Sequence, residues 1–204
     1  MDSAISYQLS TLFIWTIIGY FSGSIPTGYW LGKLKGIDLT KIGSGSTGAT
    51  NVLRNLGKGP ALITVLIDIL KGFLPVYFAI NVQHCTFLIL CVAISCIIGH
   101  SKSIFLKFKG GKSSATGLGI LIAISWKVSL ITIFIWLIVV FTSKYSSLGS
   151  IVAVPLVPLW LYLFHQPIIY VVLTVLAAVY IVLIRHKENI QRLIKGTEPK
   201  IGKN

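Results

Sequence analysis

The chain has 204 residues, 54% hydrophobic and only 11% charged, with a mean hydropathy of +0.85. Charge at about half the usual frequency in so apolar a chain excludes an ordinary soluble domain and points to a membrane protein. Eighteen Lys and Arg stand against five Asp and Glu, a formal net charge of +13. Cationic cytoplasmic loops explain that excess better than nucleic-acid binding, which is set aside.

Residues 1–10 carry no positive n-region, so the apolar run at 9–31 is expected to remain as a spanning helix rather than leave as a signal peptide. Further apolar runs follow at 61–80, 86–99, 115–126, 128–142, 148–164 and 168–184. A span needs about 20 apolar residues, and three of these runs are short. Residues 115–142 read either as one long helix burying Lys127 or as two helices turning at Ser125, Trp126 and Lys127. The three cysteines, Cys85, Cys91 and Cys96, share one apolar stretch without metal-site spacing and read as small packing residues.

Charge decides the topology. With seven helices, the N-terminus outside and the C-terminus cytosolic, every cation of the 18 except Lys71 and Lys127 falls on the inner side, Lys203 included. Six helices would divide them nine inside and seven outside, leaving a second lysine in the membrane. The positive-inside rule selects seven, in an all-α polytopic integral membrane protein whose residues 1–204 form a single membrane-embedded domain. Its polar chemistry then lies in inner segments at 32–60, 100–114 and 143–147 and in a tail at 185–204.

The first inner segment contains KIGSGSTGATNVLRNLGKG at residues 41–59. Gly43, Gly45 and Gly48 free successive backbone N–H groups, Ser44, Ser46 and Thr50 add hydroxyls, and Asn51 and Arg54 follow at helical spacing. Such a loop entering a helix N-terminus suits an oxyanion or phosphate better than a flexible linker would. The second segment repeats the theme, with Gly110, Gly111 and Lys112 before Ser113, Ser114 and Thr116. Its lysines equally satisfy the positive-inside rule. Asp68 and Lys71 lie three apart on an apolar helix, either as a mutually neutralising pair or, for Lys71, as a phosphate ligand. In the tail, His186 and Asn189 are one turn apart with Arg192 beyond, on a helix expected to become amphipathic and interfacial.

These segments resemble the bacterial acyl-phosphate:glycerol-3-phosphate acyltransferase family. The resemblance rests on GSIPTGYWLGKLKG from Gly23, GSGSTGATNVLRNLGKGPA from Gly43, DILKGFLPV from Asp68, Gly99-His100, FLKFKGGK from Phe105, YSSLGSIV from Tyr145 and RHKENIQRLIKGTEPKI from Arg185. It implies seven membrane helices and a cytosolic active site in the bacterial inner membrane, in an enzyme that acylates the 1-hydroxyl of sn-glycerol 3-phosphate. Acyl phosphate is the implied donor, made by a soluble partner enzyme, and lysophosphatidic acid and phosphate are the products. By resemblance, Ser44, Asn51, Arg54, Lys112, His186 and Asn189 are catalytic, while Gly43, Gly45, Ser46, Gly48, Thr50, Gly110, Gly111 and Lys71 bind substrate phosphates. The general base is either His186 or a substrate phosphate oxygen. The chain departs from the family pattern at Ser46, usually Asn, at Ser113, usually Gly, and at Ser101–Ser103, usually an aromatic and a proline after Gly-His.

No cofactor is expected. Asp38, Asp68, Glu188 and Glu198 are scattered, so no metal is expected either. A transporter or channel for an organic or phosphate anion is the alternative, weakened by the lack of a matching outer polar set or an inverted repeat.

Overall fold

The computed structural model describes residues 2–82 and 85–202, and Lys203, counted above on the inner side, lies outside the described residues. The described residues form helices and no strand. The first apolar run is not one helix. α1 (Asp2–Ser24) stops before Pro26 and α2 (Thr27–Leu34) restarts after it, because proline lacks an N–H and turns the preceding residue away from helical geometry. α3 (Ala49–Leu56) and α4 (Lys58–Val82) are separated by Gly57, whose φ of 88° few other residues tolerate.

α5 (Thr86–Ser101), α6 (Ser114–Ile124), α7 (Trp126–Ser143), α8 (Ser146–Leu163) and α9 (Ile168–Val179) follow. Residues 115–142 are thus two helices, with Ser125 extended at φ −155°, ψ 96° between them. A π-helical segment, Tyr180–Arg185, joins α9 to the short α10 (Lys187–Ile194).

Five helical stretches are long and apolar enough to cross a membrane: Ser6–Leu34, Lys58–Val82, Trp126–Ser143, Ser146–Leu163 and Ile168–Arg185. α5 and α6 are apolar but shorter, at 16 and 11 residues. α5 lies at the centre, with Val92, Ala93 and Cys96 fully buried.

Among lipid tails, apolar side chains gain little by choosing protein over lipid, so helices associate through close backbone contact at small residues. Gly23 of α1 faces the Cys96 backbone of α5, and Gly72 of α4 faces the Thr116 carbonyl of α6. Phe13, Phe134 and Phe141 remain outward, as a lipid-facing surface requires.

A Cβ at Gly72 would overlap a main-chain carbonyl, whereas one at Gly59 meets nothing within 4 Å. Gly72→Val is therefore expected to destabilise the detergent-solubilised protein by about 1–3 kcal/mol, with Gly59→Ala near the parent, as thermal unfolding of both will show.

Candidate functional site

The loops that the sequence places on one side are bound to one another. Thr50 Oγ1 lies 3.1 Å from Ser146 Oγ, Arg54 Nη2 donates to the Pro199 carbonyl, and the Ile201 N–H donates to the Lys144 carbonyl. Beneath them is a cavity of about 400 Å³, within the range of small-molecule sites. Its polar end is lined by Ser44, Arg54, Lys112, His186, Asn189 and Glu198. A further part of its lining is mostly apolar, with Val65 and Ile69 of α4, Leu118 of α6, Ile133 and Trp136 of α7, and Val154 of α8, and with Asp68, Thr132 and Ser150 as polar side chains among them.

Asn51 organises the first loop. Its buried Nδ2 donates to the carbonyls of Leu39, Ile42 and Ser46 at 3.2, 3.2 and 2.8 Å, and its Oδ1 accepts from the Ser44 N–H and from Asn55 Nδ2. An amide has two N–H bonds, so the three carbonyls share them and nothing remains for a ligand. Asn51 also lines the cavity, and these bonds make it the residue that positions the loop. Gly43 and Gly45, at φ 58° and 66°, make the turns it holds closed and do not themselves line the cavity. Ser46 Oγ accepts from the Gly48 N–H, leaving Gly48, Ala49 and Thr50 at the cavity where α3 begins. The first N–H groups of a helix have no intrahelical acceptor and carry partial positive charge.

The second loop is held from below and from the side. Arg185 donates from Nε and Nη2 to the carbonyls of Gly110 and Gly111, and the Gly111 N–H donates to the His100 carbonyl. A Cβ on Gly111 would strike the His100 ring. Both glycines thus shape the loop, while Lys112 reaches the cavity. Ser113 occupies φ 66°, a conformation suited to the glycine usual there, and its Oγ donates to the Ile97 carbonyl at 3.0 Å. That hydrogen bond offsets part of the backbone cost of about 1–2 kcal/mol.

Lys112 donates to Asn189 Oδ1, and Asn189 Nδ2 donates to Glu198 Oε1 at 2.6 Å. Glu198 also accepts from Ser147 Oγ at 2.6 Å and from Arg192 Nε at 2.7 Å. Burial raises the Glu198 carboxyl, but the hydrogen bonds from Ser147, Arg192 and Asn189 outweigh it and hold it below its ordinary value. Burial, with the Arg192 cation nearby, lowers Lys112 to about 8. Arg54 is lowered by burial too, and its Nε is buried without a partner. Three cations thus surround one buried carboxylate, and the surplus positive charge suits an anion.

His186 follows the π-helical segment, whose wider turn frees the Ile181 carbonyl to lie 2.8 Å from His186 Nδ1. A carbonyl only accepts, so the proton sits on Nδ1 and Nε2 carries the lone pair. Burial lowers this imidazole to about 4, the Lys112 ammonium adding to the effect, so it is neutral near pH 7.

Lys71 does not line the cavity. It pairs with Asp68 at 2.7 Å and donates to the Ile25 carbonyl at 2.7 Å, the mutually neutralised arrangement that the sequence also allowed. Asp68 itself reaches the cavity, as does His100. Sequence reasoning passed over Glu198, Ser147 and Arg185 as site residues. Ser147 and Glu198 belong to the YSSLGSIV and RHKENIQRLIKGTEPKI segments already singled out, and an acidic residue in so basic a tail was the available signal.

The family model described as glycerol-3-phosphate acyltransferase matches residues 13–196. The glycerol-3-phosphate acyltransferase of Synechococcus sp. (strain JA-3-3Ab) is 45% identical over 185 residues, covering 90% of each chain. Glycerol-3-phosphate acyltransferase 2 of Thermotoga maritima is 43% identical over 193 residues, 93% of this chain and 96% of the relative. Among solved structures, the fold resembles PlsY (YgiH), an integral membrane glycerol 3-phosphate acyltransferase, in its glycerol 3-phosphate form, with a TM-score of 0.90 at 35% identity over 94% of this chain and 96% of that one. The lysophosphatidic acid form of PlsY gives 0.87, with 94% and 95% covered.

Only the ammonium form of Lys112 attracts an anion, and that form is lost as pH rises through about 8. Inorganic phosphate binding, measured by calorimetry, is expected to weaken across that interval, and Lys112→Arg, cationic throughout, to flatten the dependence.

Proposed function

The chain belongs to the glycerol-3-phosphate acyltransferase family, and from that premise we propose that it transfers a fatty acyl group from acyl phosphate to the 1-hydroxyl of sn-glycerol 3-phosphate. The observation that carries this reading is that one cavity is lined both by the cations Arg54 and Lys112, beside His186, and by apolar side chains of α4, α6, α7 and α8. Both substrates bring a phosphate, and one brings a hydrocarbon chain.

Acyl phosphate is a mixed anhydride with a stable leaving group, so no covalent enzyme nucleophile is needed. The protein's task is to hold two anions close, align hydroxyl and carbonyl, and stabilise the oxyanion. Arg54 and Lys112 bind the phosphate of glycerol 3-phosphate, with Asn189 and Glu198 fixing the Lys112 ammonium. The loop from Gly43 to Thr50, with Ser44 and the first N–H groups of α3, receives the acyl phosphate and the developing oxyanion. Gly110 and Gly111 set the position of Lys112 from their clamp on Arg185.

The 1-hydroxyl oxygen attacks the acyl carbon, the bond from that carbon to the phosphate oxygen breaks, and the hydroxyl proton passes to a phosphate oxygen. Lysophosphatidic acid and inorganic phosphate result. His186 Nε2 accepts a hydrogen bond from the glycerol moiety; an imidazole lowered to about 4 is a weak base near pH 7, which favours the phosphate as proton acceptor.

The same reading places seven spans in the bacterial inner membrane, with residues 1–204 as one domain, the N-terminus outside and the cavity's polar end and C-terminus in the cytosol. A soluble enzyme supplies the acyl phosphate. Seven apolar helical segments and the one-sided cations support this arrangement.

Purified protein in detergent is expected to form lysophosphatidic acid from palmitoyl phosphate and glycerol 3-phosphate, and not from palmitoyl-CoA. No lysophosphatidic acid from either donor, with phosphate flux across sealed vesicles, would replace the enzyme by a transporter. His186→Ala is expected to raise the apparent KM for glycerol 3-phosphate by about tenfold with turnover retained. Loss of kcat at unchanged KM would instead make His186 the base. A reporter fused after the last residue is expected to be active on the cytosolic side.

A further inference from the structure

The apolar end of the cavity has a wall that the scheme above does not use. Trp136 of α7 lines it beside Ile133, and α8 contributes Ala153 and Val154. The position of that indole is set by Gly149: a Cβ there would lie 2.8 Å from both Trp136 Cδ1 and Nε1, and 2.8 Å from Val140 Cγ2. The pyrrole edge of Trp136 therefore rests on the α8 backbone itself.

The lining of α8 changes character just beyond this contact. Ser146 and Ser147 line the cavity before Gly149 and Ser150 directly after it, and Ala153 and Val154 line it a turn further on. At 1.5 Å per residue, Ser146 to Val154 spans about 12 Å. A chain whose carbonyl sits at the hydroxyl-lined end passes the indole on its way to the apolar floor.

Resting on the acyltransferase reading of this cavity, we propose that Trp136, seated on Gly149, selects the acyl chain by its length and bulk. The indole is a broad plane with few rotatable bonds, and its pinned edge gives it no room to withdraw toward α8. Removing the indole widens the passage. A methyl on Gly149 does the reverse: the α8 backbone stays, the indole is displaced, and the passage narrows. A methylene fitted or refused by an apolar pocket changes kcat/KM by about 10–200-fold, so small movements of this wall register in the preference among chains.

The test is kcat/KM for octanoyl, lauroyl, palmitoyl and stearoyl phosphate at saturating glycerol 3-phosphate, for the parent protein, Trp136→Ala, Trp136→Phe and Gly149→Ala. Trp136→Ala is expected to raise the stearoyl-to-lauroyl ratio about tenfold, Trp136→Phe to raise it less, and Gly149→Ala to lower it. If Trp136→Ala does not fold, the opposite shifts of Trp136→Phe and Gly149→Ala carry the same test. Ratios unchanged in these variants while lysophosphatidic acid still forms overturn the selection by Trp136 and leave the reaction standing, as does a uniform loss across all chains. A parent protein that makes no lysophosphatidic acid from any of the four overturns the reaction, and the inference falls with it.

Discussion

Glu198 lies where Arg192, Asn189 and Ser147 converge, and the polar end of the cavity depends on what its two oxygens accept. Arg54, Lys112 and Arg192 lie close together, and the Arg192 charge adds to burial in lowering the proton affinity of Arg54 and of Lys112. In a partly buried setting their repulsion would splay the loops apart or discharge Lys112. The buried Glu198 carboxylate, with the exposed Glu188 3.7 Å from Arg192, removes enough of that repulsion to keep the loops together, and three cations against two carboxylates still leave a positive surplus.

The same economy governs the uncharged parts. Asn51 spends its whole side chain on the backbone of residues 39–46, so the glycine turns arrive at the cavity already shaped. Arg185 does for the second loop what Asn51 does for the first. Groups that meet a substrate are thereby separated from groups that hold them. Under the mechanism proposed above, such preorganisation is what fixed dipoles need in order to stabilise the developing oxyanion.

Much of this was legible in the sequence. The apolar runs locate the helices because a membrane demands long apolar stretches, and glycines beside hydroxyls and cations locate the loops. Reading 9–31 as a single run misses the break at Pro26, although proline chemistry accounts for it, and Ser125 separates α6 from α7 where the turn was one of two options. Three things were not legible. The contact between Ser147 and Glu198 joins distant segments, and nothing local to either names the other. That Asn51 is turned to the backbone of its own loop while Arg54 keeps an unpaired Nε is visible only from the partners around each amide and guanidinium. Trp136 has the same apolar signature whether it faces lipid or a cavity, since in a membrane both surfaces are oily.

The Asp68–Lys71 pair bears on how the molecule is assembled. A lone ionised side chain at the centre of a bilayer costs about 2.5–3.5 kcal/mol on insertion scales, and α4 carries two. In the finished protein Lys71 also donates to the Ile25 carbonyl, which lies in the break between α1 and α2 at Pro26. Each flaw thus answers the other: the interrupted helix offers an acceptor, and the charged helix fills it. α4 is therefore poorly suited to lie in the bilayer as a solitary helix, since the acceptor that helps hold its lysine belongs to the chain just after α1.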